Sequence, residues 1–221
     1  MALEVDTRDW TLRTARNEEE MWALADEQGV RDARLSYPSG WLFLTRDAAT
    51  RDLVAAATGE DEERDATGVA AELDRDAERV ERALDDLVAI GAYHEEDGLY
   101  RPNPDSVVVR SVGRLDAAVR DVKDDLSVEG DGAGFRDLAK LEAVRLMVDA
   151  LLYADDERLD QADLHDWCGL SRKEIWMHAD SLEEYDVLAP AGDAYAIDDE
   201  SPVFARVRAL DAAVVGAVLS P

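Results

Sequence analysis

An internal repeat with an offset of 95 residues constrains this chain of 221 residues more than any other feature. Residues 115–119 and 210–214 both read Leu-Asp-Ala-Ala-Val, and Tyr100 matches Tyr195 at the same offset. Solenoid repeats have shorter periods, roughly 20–50 residues, so each copy is expected to be a small domain. The sequence therefore predicts a duplicated domain.

The spacing of apolar residues predicts the same order of elements in both copies: three helices, a β-hairpin and a long final helix. Ser171 and Glu174 have the spacing of a capping box, which marks the start of a third helix. Asp97-Gly98, between two short apolar segments, is a strong hairpin signal. The helices are expected at 47–57, 68–73, from 76 onwards and at 106–126 in the first copy, and at 137–154, 161–168, from 171 onwards and at 201–219 in the second.

The stretch 67–93 has a recognisable pattern of small and apolar residues around a turn. Its key positions are Ala70, Leu73, Val80, Leu84, Leu87 and Gly91. The pattern resembles the helix-turn-helix and wing entry of many prokaryotic winged-helix regulators. The resemblance covers both copies. It implies a mainly helical fold with small β-hairpins, arranged as two tandem winged helix-turn-helix domains, each with a C-terminal helix.

The repeat also sets the expected domain boundaries. The first module is predicted at 45–126 and the second at 136–221. Between them, the glycine-rich segment 127–135 lacks the Lys-Ser/Thr of a phosphate loop, which favours a flexible linker. Residues 1–44 fall outside the repeat and hold three of the five tryptophans. This segment is expected to pack on the first module, and a dimer contact is the alternative.

The chain is strongly acidic, with 52 Asp and Glu against 24 Lys and Arg and a formal net charge of -28. Because the acids are spread through periodic apolar patterns, a folded chain with an acidic surface is expected rather than a disordered tail. This usage resembles that of salt-accumulating halophilic archaea, where molar salt screens repulsion within about 3 Å. One cysteine, no apolar leader and no run of 18 apolar residues predict a cytoplasmic protein without membrane contact.

In winged helices that read DNA, the third helix enters the major groove. The outward positions of the two third helices are therefore the predicted contacts with double-stranded DNA. They are Arg75, Arg79, Arg82, Ser171, Arg172 and Lys173. Two features oppose this interpretation: the stretch 74–86 holds three arginines and six acids, and the first wing, 94–97, is acidic. The alternative is that the arginines form surface pairs with acids three or four residues away.

Two further groups of apolar residues are predicted to contact a partner. Trp176 and Met177 occupy outward positions of the second copy's third helix, which indicates a covered surface. Apolar stripes on both final helices have the spacing of a helix–helix seam. Their members are Val112, Leu115, Val119, Val207, Leu210 and Val214. These stripes could pack on their own modules, pair within one chain as a pseudo-dimer, or pair between chains as a homodimer.

The resulting hypothesis is a DNA-binding transcriptional regulator that acts as a dimer or pseudo-dimer. The alternative is a protein–protein interaction scaffold of the chromosome-organisation or complex-assembly type, without DNA readout. No nucleophile with a credible base is found, so no enzyme and no cofactor are expected. His165, Cys168 and His178 would supply only three ligands, which does not complete a structural zinc site.

Overall fold

The computed structural model describes residues 11–59, 62–154, 158–192, 194–198 and 200–219. Over these residues the chain is mainly helical, with twelve helices and two three-stranded antiparallel sheets. The helices are α1 (Glu18–Gln28), α2 (Val30–Ser36), α3 (Gly40–Thr45), α4 (Ala48–Ala56), α5 (Ala66–Leu73), α6 (Ala77–Ala89), α7 (Val107–Val122), α8 (Ala133–Leu138), α9 (Glu142–Leu151), α10 (Gln161–Cys168), α11 (Arg172–Glu184) and α12 (Pro202–Leu219). The strands are β1 (Arg64–Asp65), β2 (Tyr93–Glu96), β3 (Leu99–Pro102), β4 (Arg158–Leu159), β5 (Leu188–Ala191) and β6 (Ala194–Ile197).

The same order of elements occurs twice. Module one runs from α4 to α7 with β1–β3, and module two runs from α9 to α12 with β4–β6. The sheets have matching strand orders, β1-β3-β2 and β4-β6-β5. The turn before each third helix uses a left-handed residue at the equivalent position, Asp74 (φ 51°) and Gly169 (φ 68°). Aspartate and glycine are among the residues that adopt this conformation at low cost.

Local side-chain hydrogen bonds explain where the third helices begin. Asp76 accepts a hydrogen bond from the backbone N–H of Arg79 at 3.0 Å and so caps α6. Ser171 and Glu174 form the predicted capping box at the start of α11. In the first hairpin, Asp97 and Gly98 have φ values of 53° and 80°, as the two-residue turn favoured by this dipeptide requires.

The helix predicted at 137–154 is instead two helices, which corrects that expectation. α8 ends at Leu138, and α9 begins at Glu142. Between them, the carbonyl groups of Ala139 and Lys140 accept hydrogen bonds from Nη1 of Arg145 at 2.8 and 3.3 Å. The spacing of apolar residues does not reveal the break, because Leu138, Leu141 and Val144 follow each other at three-residue intervals across it, as they would on one continuous helix.

The long helices α7 and α12 pack against each other in the most extensive pairing between any two elements. All six residues of the predicted stripes are fully buried: Val112, Leu115, Val119, Val207, Leu210 and Val214. The two final helices therefore meet within one chain. These side chains are covered by the chain itself, so the stripes offer no exposed surface for a second copy of the chain to bind.

Two short helices, α3 and α8, cross between the modules and are called the lead helices below. α8 precedes module two but packs on α7 of module one, whereas α3 precedes module one but packs on α12 of module two. Gly134 N donates to Asp116 Oδ1 (2.6 Å), and Trp41 N donates to Asp211 Oδ1 (3.3 Å). Asp116 and Asp211 are the aspartates of the duplicated Leu-Asp-Ala-Ala-Val motif, so this motif is the docking surface for the lead helices.

The lead helices also meet each other. Trp41 and Phe135, each directly after a glycine, contact edge to face with ring centroids 6.1 Å apart. Both side chains are buried, and the core that contains them is continuous through both modules. The duplication therefore begins before residue 45, which is the start predicted from the sequence.

The N-terminal segment packs mainly on module two, which corrects the expectation that it would pack on module one. α2 contacts α10, and Arg13 and Arg34 both bind the buried carboxylate of Asp149 on α9, at 2.9 and 2.6 Å. The physical reason is that a carboxylate inside an apolar helix face needs buried cationic partners, and this segment supplies them. Residues 1–10 lie outside the described residues.

Candidate binding surfaces on the third helices

The predicted arginine column of module one lies on the exposed side of α6 and of the turn just before it. Arg75 Nη2 is 3.0 Å from Asp52 Oδ2, and Arg79 Nε donates to Asp47 Oδ2 at 2.6 Å. Arg82 Nε donates to the carbonyl oxygen of Glu78, at 3.4 Å within the same helix. The partners of Arg75 and Arg79 are therefore acids near or on α4, and not acids three or four residues away as the alternative predicted.

These ion pairs reduce the positive potential that α6 offers to an anion. The pKa of Arg79 is raised, first by its hydrogen bond to Asp47 and then by the charge of that carboxylate. The acids Glu78 and Glu81 are exposed on the same helix, and the hairpin residues 94–97 are exposed and acidic. The surface of module one around α6 is consequently a poor site for nucleic acid.

The third helix of module two presents a different surface. Ser171 caps the helix, and Arg172 and Lys173 are exposed in its first turn without a salt bridge to any described acid. Trp176 is 65% exposed and Met177 is 51% exposed one turn further along. The outward face of α11 thus combines two cations with two large apolar side chains, and all six predicted DNA contacts lie at the third helices.

Equivalent positions explain why the two third helices differ. Arg75 of module one corresponds to Leu170 of module two, which is buried, and Asp52 corresponds to Leu146, which is also buried. Where module one has an exposed ion pair, module two therefore has two buried apolar side chains. The hairpin of module two is likewise less polar than that of module one, because β5 reads Leu-Ala-Pro-Ala whereas β2 reads Tyr-His-Glu-Glu.

The histidines and the cysteine of module two do not form a metal site in the described part of the chain. No group of three or more His, Cys, Asp or Glu residues there is arranged to hold an ion. Cys168 is buried, and burial raises the pKa of its thiol to about 12. The ring of His165 hydrogen-bonds the carbonyl oxygen of Leu170 through Nδ1. These residues belong to the interior and the turn of the helix pair.

Sequence reasoning missed two buried carboxylates that hold distant elements together. Asp149 joins the N-terminal segment to α9. Asp137 on α8 accepts hydrogen bonds from Tyr185 Oη (2.6 Å) and Ser127 N (3.0 Å) and pairs with Lys140. Each carboxylate lies in an apolar stretch of sequence, and that position was the available signal. The partners that link them to distant elements, Tyr185 for Asp137 and Arg13 and Arg34 for Asp149, are too far away in sequence to infer.

Asp137 should make the protein acid-sensitive. Burial alone would raise the pKa of this carboxyl group, but hydrogen bonds from Ser127, Tyr185 and Lys140 lower it to about 2. Since the folded-state pKa lies below the ordinary value of 3.8, the stabilisation is complete above pH 4 and is lost as the pH falls through 2. Denaturant unfolding at several pH values should show a loss of about 2 kcal/mol in this window that Asp137→Asn lacks. Identical pH profiles for the two proteins would contradict this assignment.

Comparison of the chain with family models, with curated proteins and with solved structures finds no match. None of the described helices is both long enough and apolar enough to cross a membrane. A functional proposal therefore depends on the residues and the geometry of the third helices.

Proposed function

We propose that the chain is a DNA-binding regulator built as an intramolecular pair of winged-helix modules, with α11 as its principal DNA-contacting helix. The order of elements supports this proposal, because a helix pair joined by a tight turn and followed by a hairpin occurs twice. The pairing of α7 with α12 supports the pseudo-dimer. Linked modules of this kind gain effective concentration on adjacent half-sites.

The observation that carries the proposal is the contrast between the cations of the two third helices. Arg172 and Lys173 form no salt bridge with a described acid and lie in the first turn of α11, where backbone N–H groups also favour phosphate. Arg75 and Arg79 are already bound to carboxylates. Phosphate contacts supply most non-specific affinity for DNA, so module two is the better candidate.

The net charge of -28 does not exclude this function at high salt. At molar ionic strength, repulsion between exposed charges is screened within about 3 Å, so the local cations of α11 determine the contact. In dilute salt the same chain should repel DNA as a whole. DNA binding is therefore expected in molar KCl and should be tested there.

Reversing the charges of α11 should weaken DNA binding strongly. In molar KCl, the Arg172→Glu, Lys173→Glu double variant is expected to bind genomic DNA fragments at least about tenfold more weakly than the parent protein. The matched control, Arg75→Gln with Arg79→Gln on α6, should bind almost as the parent does. Fluorescence anisotropy with labelled fragments measures both. A parent protein that does not bind any fragment, or equal losses in the two variants, would exclude the proposal.

A second candidate function, protein docking by the same helix, is favoured by the exposure of Trp176 and Met177. Exposed aromatic and methionine side chains are enriched at protein interfaces. A Trp176→Ala, Met177→Ala variant separates the candidates, because it removes the apolar contact and leaves both cations. For a docking protein without DNA readout, this variant should lose its protein partner while neither it nor the parent binds DNA.

A further inference from the structure

The exposed faces of the two third helices differ at four equivalent positions. At the offset of 95 residues, the pairs are Ala77 and Arg172, Glu78 and Lys173, Glu81 and Trp176, and Arg82 and Met177. All eight side chains are exposed. Module two thus has two cations where module one has an alanine and a glutamate, and a tryptophan where module one has a second glutamate. Since module one forms the same order of elements without them, the fold itself does not require these side chains.

The two cations and the tryptophan of α11 lie on one surface. Residues three or four apart are neighbours on a helix, so Trp176 lies beside both Arg172 and Lys173. Its side chain is 65% exposed, more than that of any other tryptophan in the described ranges. The adjoining hairpin strands, β5 and β6, contain no charged residue. This surface therefore combines a flat apolar ring with two positive charges.

Acidic residues near this surface limit where a negatively charged chain can lie. Glu174 is held by Ser171 in the capping box. Asp160 lies near enough to Arg172 for that charge to contribute to its lowered pKa, after the larger effect of hydrogen bonds from the backbone of Asp163 and Ala162. Asp180, one turn beyond Trp176, is exposed. A phosphate backbone is consequently expected only at the first turn of α11.

The chemistry of an exposed indole ring favours unpaired bases over duplex DNA. In a duplex the bases cover each other's faces and present only their edges in the grooves, where proteins read them mainly by hydrogen bonds. An unpaired base has a free face that stacks on an aromatic side chain. Phosphate contacts weaken steeply as salt rises, because they depend on counterion release, whereas stacking does not. In molar KCl, stacking is therefore the contact that this surface retains best.

We propose that α11 binds DNA at an unpaired base, which stacks on Trp176 while Arg172 and Lys173 bind the flanking phosphates. The preferred substrate is then DNA with a single-stranded segment rather than a blunt duplex. This inference rests on the proposed function and narrows its substrate class. It assigns the third helix of module two to stacking on exposed bases, with the cations holding the strand beside the ring.

Fluorescence anisotropy in molar KCl tests the substrate class with two labelled DNAs, a blunt duplex and the same duplex with a single-stranded tail. The parent protein should bind the tailed duplex roughly tenfold more tightly, the effect expected for one stacked base. Trp176→Leu keeps an apolar side chain but lacks the ring, so it should bind both DNAs alike. Trp176→Phe keeps a ring and should retain most of the preference.

Met177→Leu is the matched control, because it changes the adjacent exposed side chain without touching the ring. It should keep the parent's preference for the tailed duplex. Equal affinity of the parent for both DNAs, or an unchanged preference in Trp176→Leu, would overturn this inference and leave the proposed function standing. A parent protein that binds neither DNA would instead exclude the proposed function, and this inference with it.

Discussion

Replacing Asp149 with alanine should destabilise the fold by about 3–5 kcal/mol, the largest loss expected for a single substitution in this chain. The carboxylate is fully buried and binds Arg13, Arg34 and the backbone N–H of Ser39. Burial would raise its pKa, but the two arginines outweigh burial and lower it. Without the carboxylate, both guanidinium groups remain buried without the anion that they bind.

Denaturant unfolding in molar KCl measures this loss, with Glu142→Gln as the matched control. Glu142 also pairs with an arginine of the N-terminal segment, Arg31, but that pair is about half exposed on the surface. Exposed pairs contribute only about 0–1 kcal/mol, and less at high salt, so the control should unfold almost as the parent does. Similar midpoints for Asp149→Ala and the parent would show that the N-terminal segment is not held by this carboxylate.

Hydrophobic periodicity and turn chemistry were enough to predict most elements. The short helix expected at 161–168 is α10 with the same bounds, and the Asp97-Gly98 hairpin and the Ser171 capping box are confirmed. These features depend on residues within a few positions of each other. The local sequence is therefore enough to predict them without knowledge of the tertiary contacts.

Contacts between distant parts of the chain could not be predicted in the same way. Arg13 and Asp149 are 136 residues apart, and nothing in the pattern around either residue identifies the other. The partners of Arg75 and Arg79 were missed for a similar reason, because Asp52 and Asp47 are brought to α6 by packing with α4. The outward positions of α11 were predicted correctly, since helical spacing alone separates its exposed face from its core face.

The crossing of the lead helices was also hidden from the sequence. The repeat was recognised by its Leu-Asp-Ala-Ala-Val motif, but the function of the aspartate in this motif became clear only from its partner helix. Gly40-Trp41 and Gly134-Phe135 resemble each other only weakly and stand at an offset of 94 rather than 95 residues. The lead helices are therefore related by an offset of 94 residues, whereas the Leu-Asp-Ala-Ala-Val motifs are related by an offset of 95. Because of this one-residue difference, a comparison at an offset of 95 does not extend the repeat to the lead helices.

Substituting alanine for the lead-helix glycines should disrupt the pairing of the modules. A Cβ on Gly134 would lie 2.6 Å from the backbone oxygen of Asp116, and a Cβ on Gly40 would lie 2.6 Å from that of Asp211. Backbone atoms of a packed helix cannot move aside cheaply, so each substitution should cost about 1–3 kcal/mol by overpacking. The loss should be similar at the two sites, because the contacts are equivalent.

The sign of the change in unfolding free energy for four Gly→Ala variants tests the reciprocal packing of the two modules most directly. Gly113 on α7 and Gly216 on α12 lie on the same long helices but have room for a Cβ. Alanine at these two positions should stabilise the protein by about 0.5–1 kcal/mol, because it favours the helix. Chemical unfolding in molar KCl should therefore show losses for Gly40→Ala and Gly134→Ala and gains for Gly113→Ala and Gly216→Ala. Gains at all four positions would contradict the docking of the lead helices on α7 and α12.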